Sequence, residues 1–338
     1  MSVTTAQINT EFKPIIKNIG RYENIKLAIG VILDNSPKKF RADYNTTNFV
    51  GISTKSYGNY WFKVNGKDAI FKSFDAQKMT KPARIVNELL CMELCKQIGL
   101  DCATCEPATI KGTNGIISYN VAKGNEQLKS AAEIKYSAYA KDRKNSLYDY
   151  YHILKVLKAS GYDIKMGKSL THLYKLAIFD FLTMQTDRHA GNIFFLLNKD
   201  MYELKTAPIF DNEFSFLAND LPTMNLFYGD VDFNLAKSLY NKVDVVFAIK
   251  SPSKGDKDKY NTIKKDIIDF ANKSPKSKQI LTNTLKNFNI KKAIRNVEKM
   301  GVKIPLSYKN YVTMITESIK KDLTNDLQEN KNCETISK

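Results

Sequence analysis

The alternation of apolar and polar positions changes character near the middle of the chain. In the first half, short apolar runs bounded by turn residues predict strands. Ile25 to Leu33 is apolar enough for one, and Asn59 to Val64 (NYWFKV) alternates aromatic with polar side chains. Asn65-Gly66 then marks a tight hairpin into a strand over Asp68 to Phe74. From Ala83 to Ile98, Ile85, Leu89, Met92 and Ile98 recur at near-helical spacing, and Gly99 is placed to cap the helix end. Thr113-Asn114-Gly115 is a second hairpin signal, ahead of an apolar strand over Ile116 to Tyr119. The predicted order is loop, strand, strand, helix, strand, strand.

In the second half the period lengthens. Ser146 to Ala159 and Ser169 to Met184 read as helices, the latter with Ser169 as its N-cap. Two short strands are predicted at Ile193 to Leu197 and Leu204 to Ile209. Beyond Asp220 helical patterns continue to about Leu327, broken by the lysine-rich loop Ser251 to Lys259 and followed by a polar tail from Gln328. No repeat of solenoid period is present.

Length and composition narrow the class. A chain of 338 residues suggests two domains or lobes, and 43% hydrophobic residues with 18 Tyr and 18 Phe are enough for a core. Wholesale disorder is excluded on that ground, and a collagen-like chain by only 15 Gly and 9 Pro. The net charge of +17 fits a polyanionic partner such as nucleic acid, a phosphate ligand or an acidic membrane, although a merely solvated basic surface accounts for it equally. Lys250 to Lys303 holds 15 Lys and Arg against 5 Asp and Glu. The first twenty residues carry no signal-peptide core, and the most apolar helical stretch, Leu170 to Met184, contains His172, Lys175 and Asp180. A cytoplasmic protein without a transmembrane segment is expected, and secretion by a route that reads no N-terminal signal is compatible with this. Of five cysteines, Cys91, Cys95, Cys102 and Cys105 cluster. The last two have the spacing of half a zinc knuckle, but no second pair completes it, and small buried thiols are the favoured reading.

The chemistry concentrates in Thr186 to Phe195, TDRHAGNIFF. Asp187 and Asn192 stand five apart between a long apolar helix and an apolar strand, and Asp211 follows 19 residues later in APIFDNEFSF. An acid, an amide and a second acid on loops flanking a short hairpin suit Mg²⁺ with phosphate oxygens completing its shell. One carboxylate left off the metal can accept a proton from an attacking hydroxyl. Singly these residues would pass as turn formers. Phosphoryl transfer also needs a phosphate-gripping lysine, an acid partner for it and a covering loop. Lys72 ends an apolar strand, Glu88 lies 16 residues on in the next helix, and Gly51-Ile52-Ser53-Thr54-Lys55-Ser56 precedes the hairpin as a small-residue loop with amides free for phosphates.

Asp187-x-His189-x-x-Asn192, with Asp211 after the next strand, resembles the HipA-like serine/threonine kinase family, including its short members of the CtkA type. Asn87-Glu88 running into Lys96-Gln97-Ile98-Gly99-Leu100 is similar to that family's helix and following turn. The resemblance covers about residues 45 to 220. It implies an α+β, two-lobed protein-kinase-like fold, with a small β-rich lobe over 1–120 and a larger helical lobe over 121–338. It implies Asp187 as the catalytic base, Asn192 and Asp211 as Mg²⁺ ligands, Lys72 on the ATP phosphates and Glu88 orienting it. Gly51, Ser53, Lys55 and Ser56 would form the phosphate loop, Ser118 and Tyr119 would lie near the adenine, and His189 would brace the catalytic loop. The acceptor would be a Ser or Thr hydroxyl of a protein, and an antitoxin partner is a further expectation. Two departures stand out. The family's self-phosphorylated serine position is Asn48 here, and the frequent Lys before the catalytic-loop Asn is Gly191. Asp187-Arg188-His189-x-x-Asn192 is also similar to the loop of phosphoinositide kinases, where the metal-binding Asp comes sooner and Phe-Gly follows it. A lipid kinase is therefore one alternative, and a nucleic-acid-binding regulator acting through Lys250 to Lys303 another.

Overall fold

The structure, a computed structural model, describes residues 60–64, 67–73, 81–110, 113–138, 149–218, 231–243, 246–253 and 255–336. The strand expected at Ile25 to Leu33, the loop Gly51 to Ser56 and the turn Asn65-Gly66 lie outside them.

Two small sheets and nine helices make up the described part of this mixed α+β chain. The first sheet has the order β1-β2-β4-β3, all antiparallel, from β1 (Tyr60–Val64), β2 (Lys67–Ser73), β3 (Cys105–Ile110) and β4 (Thr113–Tyr119). Helix α1 (Lys81–Ile98) connects its two halves. That helix is apolar on almost every side, with Ile85, Val86, Leu89, Leu90, Met92, Leu94 and Cys95 all buried, as expected of a helix enclosed by other elements. Gly99 ends it at φ +63°, as its position predicts.

The second hairpin differs from expectation. Asn114 and Gly115 sit inside β4, opposite Thr109 and Ala108, and so do not make the turn. Packing outweighs turn propensity here: a Cβ on Gly115 would lie 2.3 Å from the Lys72 carbonyl oxygen and 2.7 Å from the Phe71 ring. The glycine serves close strand approach rather than a turn.

The second sheet has the order β5-β7-β8-β6, from β5 (Glu126–Ser130), β6 (Asp163–Ile164), β7 (Phe194–Asn198) and β8 (Glu203–Thr206). Strand β8 is shorter than the pattern suggests. Ile209 instead makes an isolated parallel bridge to Cys102, tying the Asp211 segment to the chain just after α1. Around this sheet lie α2 (Ala131–Ala138), α3 (Tyr150–Ala159) and α4 (Met166–Leu182), then α5 (Phe233–Asn241), α6 (Lys259–Asn272), α7 (Pro275–Asn287), α8 (Ile290–Lys299) and α9 (Leu306–Ile336).

Ser169 does not cap α4. It is buried one turn inside, and Lys165 occupies the cap position without a side-chain bond. From Leu173 to Leu182, α4 is buried except for Lys175, and each large side chain enclosed there contributes roughly 1.5–3 kcal/mol. This helix is the centre of one continuous core. Asp149 caps α3, Asp232 caps α5 and Ser274 caps α7. The polar residues from Gln328 continue α9 to Ile336 instead of forming a tail. No helix among the described residues is long and apolar enough to cross a membrane.

Candidate functional site

Lys72 directly follows the apolar run Ala69–Phe71, one residue before the end of β2, and reaches two acids from different parts of the chain. Its Nζ is 2.5 Å from Glu88 Oε1 on α1 and 2.8 Å from Asp211 Oδ1. Burial works against the ammonium, yet the Asp211 and Glu88 carboxylates raise its pKa well above the ordinary lysine value. The other oxygen of Glu88 accepts the Asn212 amide N–H at 3.0 Å. One glutamate thus fixes both the lysine and the backbone beside Asp211.

The loop between α4 and β7 is built from short-range bonds. Gln185 Oε1 accepts the N–H groups of Thr186 and Asp187 at 2.9 and 3.1 Å. Asn192 Nδ2 donates to the Asp187 carbonyl at 2.8 Å and to its carboxylate Oδ2 at 3.2 Å, closing the six-residue loop on itself. His189 Nδ1 accepts the Gly191 N–H at 2.9 Å and so caps the 3₁₀ turn Ala190–Asn192. A Cβ at residue 191 would meet the His189 ring at 2.7 Å, which explains glycine where the resembling family often has lysine. Burial raises the Asp187 carboxyl above its usual range, and the Asp211 charge adds to this against the opposing His189 imidazole. Asp211 is held low by Lys72.

Arg188 joins these parts. It is 1% exposed, with Nε and Nη2 on the Asp180 carboxylate at 3.1 and 3.3 Å. Nη2 also donates to Asn212 Oδ1 at 2.5 Å and Nη1 to the Phe210 carbonyl at 2.9 Å. One guanidinium therefore connects α4, the Asp187 loop and the residues on both sides of Asp211. The backbone is strained at the same place: Met184, Asp211, Phe216 and Leu217 have φ between +43° and +62°.

Of the residues singled out in the sequence, the structure brings together Lys72, Glu88 and Asp211, and pairs Asp187 with Asn192. Ser118 is buried opposite Ile70 in the β2–β4 register and shares its face of the sheet with Lys72. Tyr119 pairs with Ala69 and packs its ring on the other face, against Ala69, Phe71, Ala108 and Ile117. Gly51, Ser53, Lys55 and Ser56 lie outside the described residues. A cavity of about 890 Å³ is lined by Asp68, Asp101, Cys102, Tyr119, Asn120 and Leu196 among others, and shares no residue with the Lys72–Asp211 cluster. The Lys72 cluster is the better candidate for phosphoryl chemistry, because there a largely buried lysine is held between two acids drawn from distant parts of the chain.

Sequence reasoning missed Arg188, Asp180, Asn212 and Arg84. An aspartate inside the most apolar helix signals a buried cation partner, which would have found Asp180 and Arg188 together. Arg84 stacks on the Phe214 ring at 4.3 Å, and its pKa is lowered by burial against the opposing charges of Glu213 and Asp187. Nothing in its spacing marks it out.

Among the described residues no group of three or more His, Cys, Asp or Glu side chains is placed to hold a metal ion alone. Burial pushes the thiols of Cys91, Cys95 and Cys105 up, as befits small core residues. Mg²⁺ bound with a nucleotide needs only one or two protein carboxylates. The donors present fit it: Asn192 Oδ1 and Asp211 Oδ2 have no hydrogen-bond partner among the described residues, because the Asn192 amide nitrogen is spent on Asp187 and Lys72 takes only Asp211 Oδ1.

A small sheet with an ion-paired lysine, a helix supplying the glutamate, and polar loops on a helical body together describe a kinase-like fold. The family follows from the model of the HipA-like C-terminal domain, which matches residues 38–289, and the chain belongs to that family. Among solved structures it is similar to the proinflammatory kinase CtkA of Helicobacter pylori, with a TM-score of 0.58 and 13% identity over 82% of this chain and 94% of that one. At that identity the likeness establishes a shared fold. It also matches HipA of Shewanella oneidensis MR-1, solved as a toxin–antitoxin complex with HipB and operator DNA, with a TM-score of 0.48 and 13% identity over 89% of this chain and 70% of that one. No curated protein matches the chain.

Proposed function

We propose that this protein is an ATP- and Mg²⁺-dependent kinase that transfers the γ-phosphate to a Ser or Thr hydroxyl of a protein. The observation that carries the reading is the double engagement of Lys72 by Glu88 and Asp211, 2.5 and 2.8 Å away and distant in sequence. A lysine held between those two acids is poised to grip nucleotide phosphates. The proposed arrangement has two lobes, residues 1–120 above and 121–338 below a nucleotide cleft. In it Gly51, Ser53, Lys55 and Ser56 cover the phosphates, and the strand end at Ser118 and Tyr119 lies at the base.

Asp187 is the base. The acceptor oxygen attacks the γ-phosphorus as its proton passes to Asp187, and the bond from that phosphorus to the bridging oxygen of ADP breaks. Asn192 orients the carboxylate through its bond to Oδ2 and, with Asp211, supplies oxygens to the metal. Mg²⁺, when bound, offsets charge on the phosphate oxygens. Arg84 adds a cation beside Asp187 in a loop that lacks the family's frequent lysine.

The test is incubation of the purified chain with Mg-ATP and a generic protein substrate, read by mass spectrometry, with phosphatidylinositol vesicles in a parallel arm. Phosphoserine or phosphothreonine in the protein arm, lost in Asp187→Asn, is expected. Undiminished transfer by that variant would overturn the assignment, and transfer to the vesicles alone would replace a protein acceptor by a lipid one.

A further inference from the structure

The excess positive charge is concentrated far more tightly than the sequence block suggests. Between Lys273 and Lys303 there are nine Lys and Arg residues and one acid, Glu298, so 31 residues carry +8 of the +17. An even spread would give a stretch of that length about +1.6, so base composition does not explain the cluster. The neighbouring α6 is different. There Lys264 pairs with Asp326 and Lys250 approaches Asp266, and three lysines are offset by two acids.

Helix α8 sorts its residues completely. Ile290, Ala293, Ile294 and Val297 are buried, while Lys291, Lys292, Arg295 and Lys299 are all exposed on the opposite side. The apolar side packs on α1 and α9. The sole acid, Glu298, is neutralised by Lys309 at 2.9 Å. None of the nine cations makes an ion pair among the described residues. Lys292 and Lys299 stand about 10 Å apart along the helix, a span that faces several phosphates of a duplex. Just before α8, α7 adds exposed Lys276 and Lys286 together with Gln279, Thr282, Asn283 and Asn287, side chains suited to phosphate and sugar oxygens.

We propose that the exposed side of α8 binds the phosphate backbone of a nucleic-acid duplex without regard to sequence. Two observations select this partner. The only aromatic residue in the segment, Phe288, is buried, so there is no platform on which single-stranded bases could stack. The exposed large apolar residues among the described ones are Met201, Tyr202 and Leu306, all outside the segment, so nothing here inserts into a membrane. The surface is separate from the Lys72 cluster, and the proposal stands whether or not the chain is a kinase.

The experiment is fluorescence anisotropy of labelled 25-base-pair DNA and RNA duplexes with the full chain across a salt series. Single strands and phosphatidylserine vesicles run alongside. Binding of at least one duplex is expected to weaken linearly in log–log form with salt. The variant Lys292→Glu/Arg295→Glu/Lys299→Glu should lose at least tenfold in affinity and flatten the slope by about 2.7. Lys257→Glu/Lys265→Glu on and beside α6 should change affinity less than twofold, and circular dichroism should show all variants folded. Equal binding by the α8 variant would overturn the proposal, as would preference for single strands, or binding to vesicles without binding to duplex.

Discussion

Arg188→Met is the most informative single perturbation of the candidate site. The side chain is 1% exposed and Asp180 is fully buried, so removing the guanidinium strands a carboxylate in the core. Breaking a buried ion pair from one side costs roughly 3–5 kcal/mol. The Phe210 carbonyl and Asn212 Oδ1 lose their donor at the same time. Against a total stability of about 5–15 kcal/mol the loss is large, and urea unfolding followed by far-UV circular dichroism measures it. Burial already raises the Asp180 pKa with Arg188 present. Without the cation, Asp180 takes up a proton more readily, so the deficit should shrink as pH falls from about 8 toward about 5. The double variant Asp180→Leu/Arg188→Met removes the stranded charge and should recover most of the stability. Its turnover should stay depressed at least tenfold, because the Phe210 and Asn212 anchors are still missing. A single variant destabilised by less than about 1 kcal/mol, or a double variant with normal turnover, would refute the claim that Arg188 positions the Asp211 segment.

Three other outcomes follow from the same geometry. Because burial raises Asp187, the acid limb of kcat/KM against pH should lie above the ordinary carboxylate range of about 4, and a limb below it would remove Asp187 as the base. Asp211 is the reverse case: Lys72 depresses its folded pKa, so its contribution is complete above the unfolded value and is lost as pH falls through the folded one. Urea titrations should therefore separate wild type from Asp211→Asn most at neutral pH and least in acid, and a gap that widens in acid contradicts the ion pair. Tyr308→Phe leaves Asn87 Oδ1 without its donor in a fully buried site and should cost about 1–3 kcal/mol; a thermal melt identical to wild type would show that the bond contributes nothing.

The elements legible in the sequence were those fixed by one local signal. Helix α1 and its Gly99 stop followed from period and cap, and β7 from an unbroken apolar run. The grouping of Lys72 with Glu88 and Asp211, and of Asp187 with Asn192, was legible because the order and spacing of these residues are unusual together, though each alone passes for a turn former or a surface group. Gly115 was misread because its reason, contact with the Lys72 carbonyl, belongs to the neighbouring strand. Ser169 was misread because a serine one turn inside a helix looks like a cap until the helix is seen to start earlier. Arg188 was invisible as an organiser because its partners lie 8 residues before it and 22 and 24 after it.

These long-range bonds bear on how the Lys72–Glu88 pair can be controlled. Helix α1 is held along its whole length. Glu88 bonds Lys72 and the Asn212 amide; Asn87 donates to the carbonyls of Glu213 and Ser215 and accepts from Tyr308 of α9. Glu93 accepts from Asn296 of α8 at 2.7 Å, and Gln97 exchanges two bonds with the backbone of Asn289. Swinging α1 away from Lys72 would break all of these contacts as a unit. At roughly 0.5–1.5 kcal/mol for each of these eight bonds, the displacement would cost on the order of 4–12 kcal/mol before any apolar surface is exposed. The C-terminal helices therefore act as a clamp that makes the ion-paired state the resting one. Backbone strain in this region is stored instead at Met184, Asp211, Phe216 and Leu217, outside the helix that carries Glu88.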